Sequence, residues 1–369
     1  MTEEQTRIAA RNVIYLVECA VNEKIPDLKG IEDIKAVYSY AARHKLTAAV
    51  ALALESAGQK DRESTLAITN ALKRMIVFEK AYAQVKEELE KAGIWYLPLK
   101  GMVLKDYYPK PLMREMGDHD ILFDADRAKD VKAIMEELGY ETDSFDSSNH
   151  DCYNKMPFLR FEMHRELFNT SYAENQYEYY RDVEKKLLGD GYEKHLSPED
   201  FYLYLIAHEY KHYALSGTGL RSLLDTYVIL KKETLDFAYV EAEAEKMGIG
   251  TFESENRTLA LRLFSGEDLT AKDQEMLDYF LSSGVYGTRE NNVQNRLSKN
   301  RYGKIRYAFE RFIEPINKKS WNYPVLSKEF PFFYRHKILL PILMVYRVIL
   351  RLKGNRLKSE IKALRRAKV

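Results

Sequence analysis

The chain has 369 residues, 46% of them hydrophobic and 31% charged, with a formal net charge of +1. That length and apolar content exclude a disordered chain and suffice for two domains, or for one core with helical additions. Two cysteines, Cys19 and Cys152, are too few for a disulfide framework; the N-terminal stretch MTEEQTRIAARN lacks the basic start and apolar run of a secretory signal; and no uninterrupted apolar run is long enough to cross a bilayer. A cytoplasmic protein without a transmembrane segment is expected.

Between about residues 4 and 90 the apolar positions recur every three or four residues, as in IYLVECAV, IKAVYSYAARHKLTAAVALAL and ALKRMIVFEKAYAQVKEELEKAG. This spacing predicts an N-terminal helical region, 1–90. Gly93 is a C-cap signal, and IWYLPL, rich in aromatic and branched residues, predicts a strand running into Lys100-Gly101. A short helix over MVLKDYY is expected to stop before Pro109 and Pro111. HDILF predicts the next strand, and ADRAKDVKAIMEELG a helix capped by Asp124 and closed at Gly139.

Residues 140–154, YETDSFDSSNHDCYN, are polar and turn-rich and are expected to connect that helix to a third strand. In that strand, MPFLRFEMHREL, alternation sets Phe158, Arg160, Glu162 and His164 on one face and Leu159, Phe161 and Met163 on the other. Helical patterns resume through YEYYRDVEKKLL, PEDFYLYLIAHEYKHYALS, GLRSLLDTYVILKKE and DFAYVEAEAEKMG. The expected fold is mostly helical α+β, with a small mixed-sheet core at 91–170, a helical domain at 171–330 and a basic amphipathic tail at 331–369.

The small net charge hides an asymmetry. Residues 335–369 hold eleven Lys or Arg against the single acid Glu360, so this segment carries +10 and the rest of the chain −9. A basic amphipathic end suits an anionic partner such as lipid or RNA; it equally suits a solvated helix whose Leu and Ile pack on the body, which is the expectation here.

The strongest chemical pattern lies in LPLKGMVLKDYYPKPLMREMGDHDILFD. Asp118 and Asp120, one residue apart at the mouth of a strand, share a face about 6–7 Å apart. That spacing suits two hard cations held ~3.5–4 Å apart, and such cations take oxygen ligands. Gly117 is expected to relieve crowding where the backbone enters the strand. Lys100 and Gly101 end one strand and open a helix, a place where backbone N–H groups and a lysine can receive a phosphate. Arg114 is shaped to grip a phosphate or fix a carboxylate, and Glu162 completes a three-carboxylate set. The plainer role for Glu162 is a strand-edge residue paired with Arg160 or Arg165.

Strand, Lys-Gly, helix, R-x-M-G-D-x-D on a strand, helix and E-x-H on a later strand resemble the DNA polymerase β-type nucleotidyltransferase superfamily. The chain is most similar to an uncharacterised bacterial nucleotidyltransferase family that joins this core to flanking helices. The matching features are PLKG (98–101), PLMREMGDHDILF (111–123), FEMHREL (161–167) and GLRSLLDTYVIL (219–230), with YAARHKL (40–46) weaker. The superfamily usually has Gly-Ser or Gly-Gly after its first strand, with a shorter interval before the acidic pair; the Lys-Gly form belongs to the closer family.

The resemblance implies transfer of a nucleoside monophosphate from an NTP to a hydroxyl acceptor, with release of pyrophosphate. Asp118, Asp120 and Glu162 would hold two Mg²⁺ ions, and Glu162 would also orient or deprotonate the acceptor. Lys100 and Gly101 would lie against the triphosphate, while His212, Arg221 and Asp225 would form the wall of the nucleotide or acceptor pocket; their plainer roles are helix-packing contacts and a buried Arg221–Asp225 pair. The acceptor class stays open among a small molecule, an RNA end and a protein side chain. A non-catalytic nucleotide-binding or regulatory protein of the same fold is the alternative.

HEYKH, at 208–212, matches the H-E-x-x-H pattern of zinc hydrolases, in which His208 and His212 would bind the metal and Glu209 act as base. The extended form of that pattern would need Gly at 215 and His at 218, where the chain has Leu215 and Thr218. The zinc reading is therefore the least favoured.

Overall fold

A computed structural model describes residues 2–170, 173–299, 303–318, 320, 323–353 and 356–367. Four N-terminal helices come first: α1 (Glu3–Val21), α2 (Ile34–Arg43), α3 (Thr47–Ser56) and α4 (Arg62–Lys91). Asp61 opens α4 by accepting from Ser64 N, and Gly93, at φ 68°, turns the chain out of it. Then follow β1 (Tyr96–Pro98), a single turn α5 (Gly101–Leu104), β2 (His119–Phe123), α6 (Ala128–Glu137), β3 (Glu141–Ser144), β4 (His150–Lys155) and β5 (Leu159–His164).

The strands form one mixed sheet in the order β1-β2-β5-β4-β3. Only the β2–β5 pair is parallel. Glu162 is thus on a central strand and not at an edge, though Arg160 Nε does donate to it at 3.3 Å. The 140–154 segment, expected as a connection, contains β3 and β4. Its strand signal is weak because the usual apolar alternation is replaced: β3 is a half-exposed edge, and β4 buries Asp151 against Arg165, whose Nε donates to Oδ2 at 3.1 Å.

Alternation divides the sheet into an apolar and a polar face. Ile121, Phe123, Phe161, Met163 and Tyr153 are fully buried against Val85 and Leu89 of α4 and Val131 and Met135 of α6. The intervening residues Asp120, Glu162 and His164 face the other way, toward the helices that follow.

Those helices are α7 (Glu174–Tyr180), α8 (Pro198–Leu215), α9 (Leu220–Lys232), α10 (Phe237–Lys246), α11 (Gly250–Ser265), α12 (Ala271–Ser283) and α13 (Arg289–Lys299). The first three N-terminal helices share one large core with α8 to α12, in which Val13, Leu16, Tyr202, Leu223 and Phe264 are inaccessible. The chain ends in α14 (Gly303–Ile313), α15 (Tyr323–Glu329), α16 (Pro331–Arg335), α17 (Leu340–Lys353) and α18 (Arg356–Arg366). The protein is mostly helical α+β. Among the described residues no helix is long and apolar enough to cross a membrane.

The basic C-terminal segment packs only in part as its sequence suggests. Leu340, Leu343 and Met344 of α17 are buried, as is Arg347, which donates to Glu314 Oε2 at 3.0 Å. The opposite side of α17, also apolar, is exposed.

Candidate active site

Between the polar face of the sheet and helices α8 and α9 lies a cleft of about 460 Å³. Asp118, Asp120, Glu162, Lys100, Gly101, Arg114, His212, Arg221 and Asp225 all line it, though they are drawn from elements up to 125 residues apart. The parallel register sets Asp120 of β2 opposite Glu162 of β5, and the antiparallel register sets His150 of β4 opposite His164. Ligand atoms of Asp120, Glu162 and His164 fall within 4.8 Å of one another, as do those of His150, Cys152 and Glu162. Asp118 stands at the head of β2, beside but outside those two groups.

The electrostatics distinguish the two aspartates. Burial would raise Asp120, yet Lys100, whose Nζ is 2.6 Å away, and His164, whose Nε2 is 3.0 Å away, hold it well below the usual carboxylate range. Asp118 has no such partner: burial, then repulsion from Asp120 and Glu162, push it up to about 6. This local excess of negative charge fits a divalent cation, whose oxygen-preferring chemistry matches the carboxylates of Asp118, Asp120 and Glu162. A further sign that the polar face is unsaturated is that Nδ1 of His150 and Nδ1 of His164, both buried, have no hydrogen-bond partner.

The loop that delivers Asp118 is held by its carbonyls. Arg114 Nη1 and Arg221 Nη1 donate to Glu115 O at 3.1 and 2.9 Å. Arg74 of α4 donates from Nε to Met116 O at 2.8 Å and from Nη2 to Gly117 O at 3.1 Å. Its guanidinium lies against both Phe78 and Phe158, 4.7 and 4.9 Å from their ring centroids. Glu115 itself accepts from Ala48 N at 3.0 Å, so the N-terminal helices brace the acidic loop.

The crowding falls at Gly101 and not, as the sequence suggests, at Gly117. A Cβ on Gly117 would meet only Tyr286 Oη at 3.9 Å, an ordinary contact. On Gly101 it would lie 2.9 Å from Met116 Cγ, so the absence of a side chain at 101 lets the acidic loop pack on α5. Lys100 carries the strain instead, with φ 46° and ψ −120°, a conformation unfavourable for a residue with a Cβ. Because α5 has only four residues, its dipole adds little, and positive charge at this wall comes from side chains.

Arg114 and Asp225 form a buried pair, Nε to Oδ1 at 2.6 Å, with Tyr108 Oη donating to the same oxygen at 2.6 Å. Arg221 is not the partner of Asp225; burial and the neighbouring Arg114 push its pKa down to about 10. Gly219 packs so closely that a Cβ would meet Val285 N at 2.8 Å, and there His44 Nδ1 accepts from Leu220 N at 3.1 Å. YAARHKL thus caps α9, the helix that carries Arg221 and Asp225.

His208 and His212 do lie on one face of α8, with Nε2 atoms 3.4 Å apart. Glu209, which also borders the cleft, is tied into the α8–α9–α11 seam, where Asn256 Nδ2 donates to its Oε2 at 3.3 Å. Among the described residues neither histidine belongs to a group of three ligands within 4.8 Å. Both imidazoles are held neutral by burial and by nearby lysines, His212 down at about 3.

Sequence reasoning did not pick out His150, Asn149, Lys211 and Tyr286, which also line the cleft. Lys211, pushed down to about 7 by burial and by Lys100, follows Glu209 by two residues and was hidden inside HEYKH. His150 opens β4 and Asn149 directly precedes it, in a segment whose polar sequence gave no strand signal.

Comparison with known proteins adds a family. The family described as "Uncharacterised nucleotidyltransferase" matches residues 31–265, most of the chain and all of the cleft-lining residues except Val285 and Tyr286. No curated protein and no solved structure matches. The chain therefore belongs to that nucleotidyltransferase family.

Proposed function

We propose that this nucleotidyltransferase moves a nucleoside monophosphate from an NTP to a hydroxyl acceptor in a Mg²⁺-dependent reaction, with pyrophosphate as the leaving group. The observation that carries the proposal is the convergence of Asp118, Asp120 and Glu162 in one cleft that also presents Lys100, Arg114 and Arg221. Three carboxylates alone would repel an NTP, which carries about four negative charges. The three acids would hold two Mg²⁺ ions, which when bound neutralise phosphate charge and polarise the transferring phosphoryl group.

The remaining work falls to the chain's own side chains. Lys100 Nζ, beside Asp120, and Arg221 at the opposite wall supply positive charge for the triphosphate. The Arg114–Asp225–Tyr108 cluster fixes the wall against which the nucleotide rests. Glu162 Oε2, 3.8 Å from His150 Nε2, is the atom that takes the acceptor proton. The acceptor oxygen then bonds to the α-phosphorus as the bond to the bridging oxygen of pyrophosphate breaks, and positioning supplies most of the acceleration.

The test is incubation of the protein with each α-labelled NTP, Mg²⁺ and a lysate of the source cell, followed by fractionation into small molecules, RNA and protein. Label is expected in one fraction and absent with Asp118→Asn/Asp120→Asn. Equal labelling by the double variant, or stoichiometric zinc on His208 and His212, would overturn the proposal.

A further inference from the structure

Helix α17 is apolar on both sides. Its inner side is buried, as described above, whereas Ile342, Val345, Ile349 and Leu352 on the outer side are exposed, continuing from Ile338, which is 88% exposed. Their three- and four-residue spacing makes one stripe. On α14, Ile305 (87% exposed) and Phe309 (58%) make a second. Single exposed apolar residues are ordinary, but two continuous stripes of branched and aromatic side chains mark a surface that is covered in use.

The charge beside the stripes is one-sided. Arg335, Lys337, Lys358, Lys362, Arg365 and Arg366 are all exposed. The acids Glu314 and Glu360 are buried and spent on internal arginines. Glu329 is an exposed acid against these six bases.

We propose that α14, α17 and α18 form a docking surface for an anionic lipid bilayer, with α17 lying along the interface. Ile342, Val345 and Ile349 enter the acyl boundary, while the lysines and arginines meet phosphate headgroups. A second copy of the chain fits poorly, because its matching face carries the same positive charge. RNA fits poorly too: it would use the bases but leave the aliphatic stripe of α17 in water, since nucleic-acid stacking needs aromatic platforms. At 14 residues α17 is about 21 Å long, short of the ~30 Å hydrocarbon core, so it lies on the membrane and does not cross it. Docking of this kind is independent of the proposed transferase chemistry.

The test is sedimentation of the full chain with vesicles of phosphatidylcholine alone and of phosphatidylcholine mixed with phosphatidylglycerol. Binding is expected only to the anionic vesicles and is expected to weaken as salt is raised. Ile342→Glu/Val345→Glu should reduce partitioning about a hundredfold, with the thermal melt and Mg²⁺-dependent nucleotide binding retained. Lys358→Ala/Lys362→Ala should reduce it about thirtyfold and, lying on exposed positions, guards against a folding defect in the first variant. Equal binding to both vesicle types would overturn the proposal, as would unchanged partitioning of both variants, self-association abolished by the first variant without vesicle binding, or tighter binding to single-stranded RNA than to vesicles.

Discussion

In the C-terminal helices Glu360 accepts from Tyr307 Oη at 2.7 Å, Arg311 Nε at 2.9 Å and Arg351 Nη2 at 2.5 Å, and Glu314 is shared by Arg311 and Arg347. In the cleft three carboxylates converge, Lys100 and His164 satisfy Asp120, and Asp118 keeps a raised pKa with no cation in contact. Both regions bury ionised groups. The first closes its network and so holds helices together, whereas the second leaves negative charge facing an open hollow and two buried ring nitrogens without a partner. A closed network costs stability when broken; an open one costs function.

The largest expected effect is on the open side. Asp118→Asn should lower nucleotidyl transfer by about a thousandfold or more, read as label incorporation, while leaving the melting temperature in metal-free buffer unchanged or raised. A large loss of stability would place Asp118 with the structural acids.

Next in size is the closed side. Burial alone would raise Glu360, but Arg311, with Tyr307 and Arg351, holds it below its ordinary value. Its stabilising contribution is therefore present above the usual glutamate range and is lost as pH falls from there through its lowered folded-state value. Glu360→Gln, which takes the carboxylate from Arg351 and leaves Arg311 only Glu314, should cost about 3 kcal/mol at neutral pH, measured by urea unfolding, with transfer activity kept.

Glu209 should behave in the opposite sense. Burial and then Asp225 push it up to about 8, and its Oε1 has no partner. The folded state thus binds a proton that the unfolded state releases above about pH 4.5, so stability falls as pH rises toward 8. Glu209→Gln should be more stable than wild type at pH 9 by on the order of 2 kcal/mol and indistinguishable at pH 4. A variant less stable at both pH values would show that the carboxylate is satisfied after all.

The smallest effect sharpens the boundary of the open region. Arg74 lies outside the cleft lining, yet it fixes two carbonyls next to Asp118, and the Asp118 charge reaches its guanidinium. Arg74→Lys should cost about tenfold in turnover with a change of about 1 kcal/mol in stability, and hydrogen exchange should rise at residues 116–118. Unchanged exchange would remove Arg74 from the positioning of the loop.

Much of the cleft is legible in the sequence because strand alternation is a local rule. D-x-D and E-x-H each put alternate side chains on one face, and the parallel register then aligns Asp120 with Glu162. Arg221 and Asp225 are legible as pocket residues through the family resemblance, and Arg114 as a grip for a phosphate or a carboxylate, but the pairing of Arg114 with Asp225 is not, since it depends on how α9 meets the acidic loop. β3 escapes the pattern because it is a half-exposed edge, and β4 because it gives His150 to the cleft and buries Asp151 against Arg165. Arg74 escapes because its contacts are to backbone carbonyls some forty residues away, which no side-chain pattern encodes.

If the three acids serve a metal-bound nucleotide, the protein binds NTPs only through the metal. Calorimetric titration of NTPs into the protein, with Mg²⁺ and then with chelator, is the test. Binding that requires Mg²⁺ and disappears in Asp118→Asn/Asp120→Asn is the predicted result, whereas nucleotide binding of equal strength in chelator, or in the double variant, would contradict it.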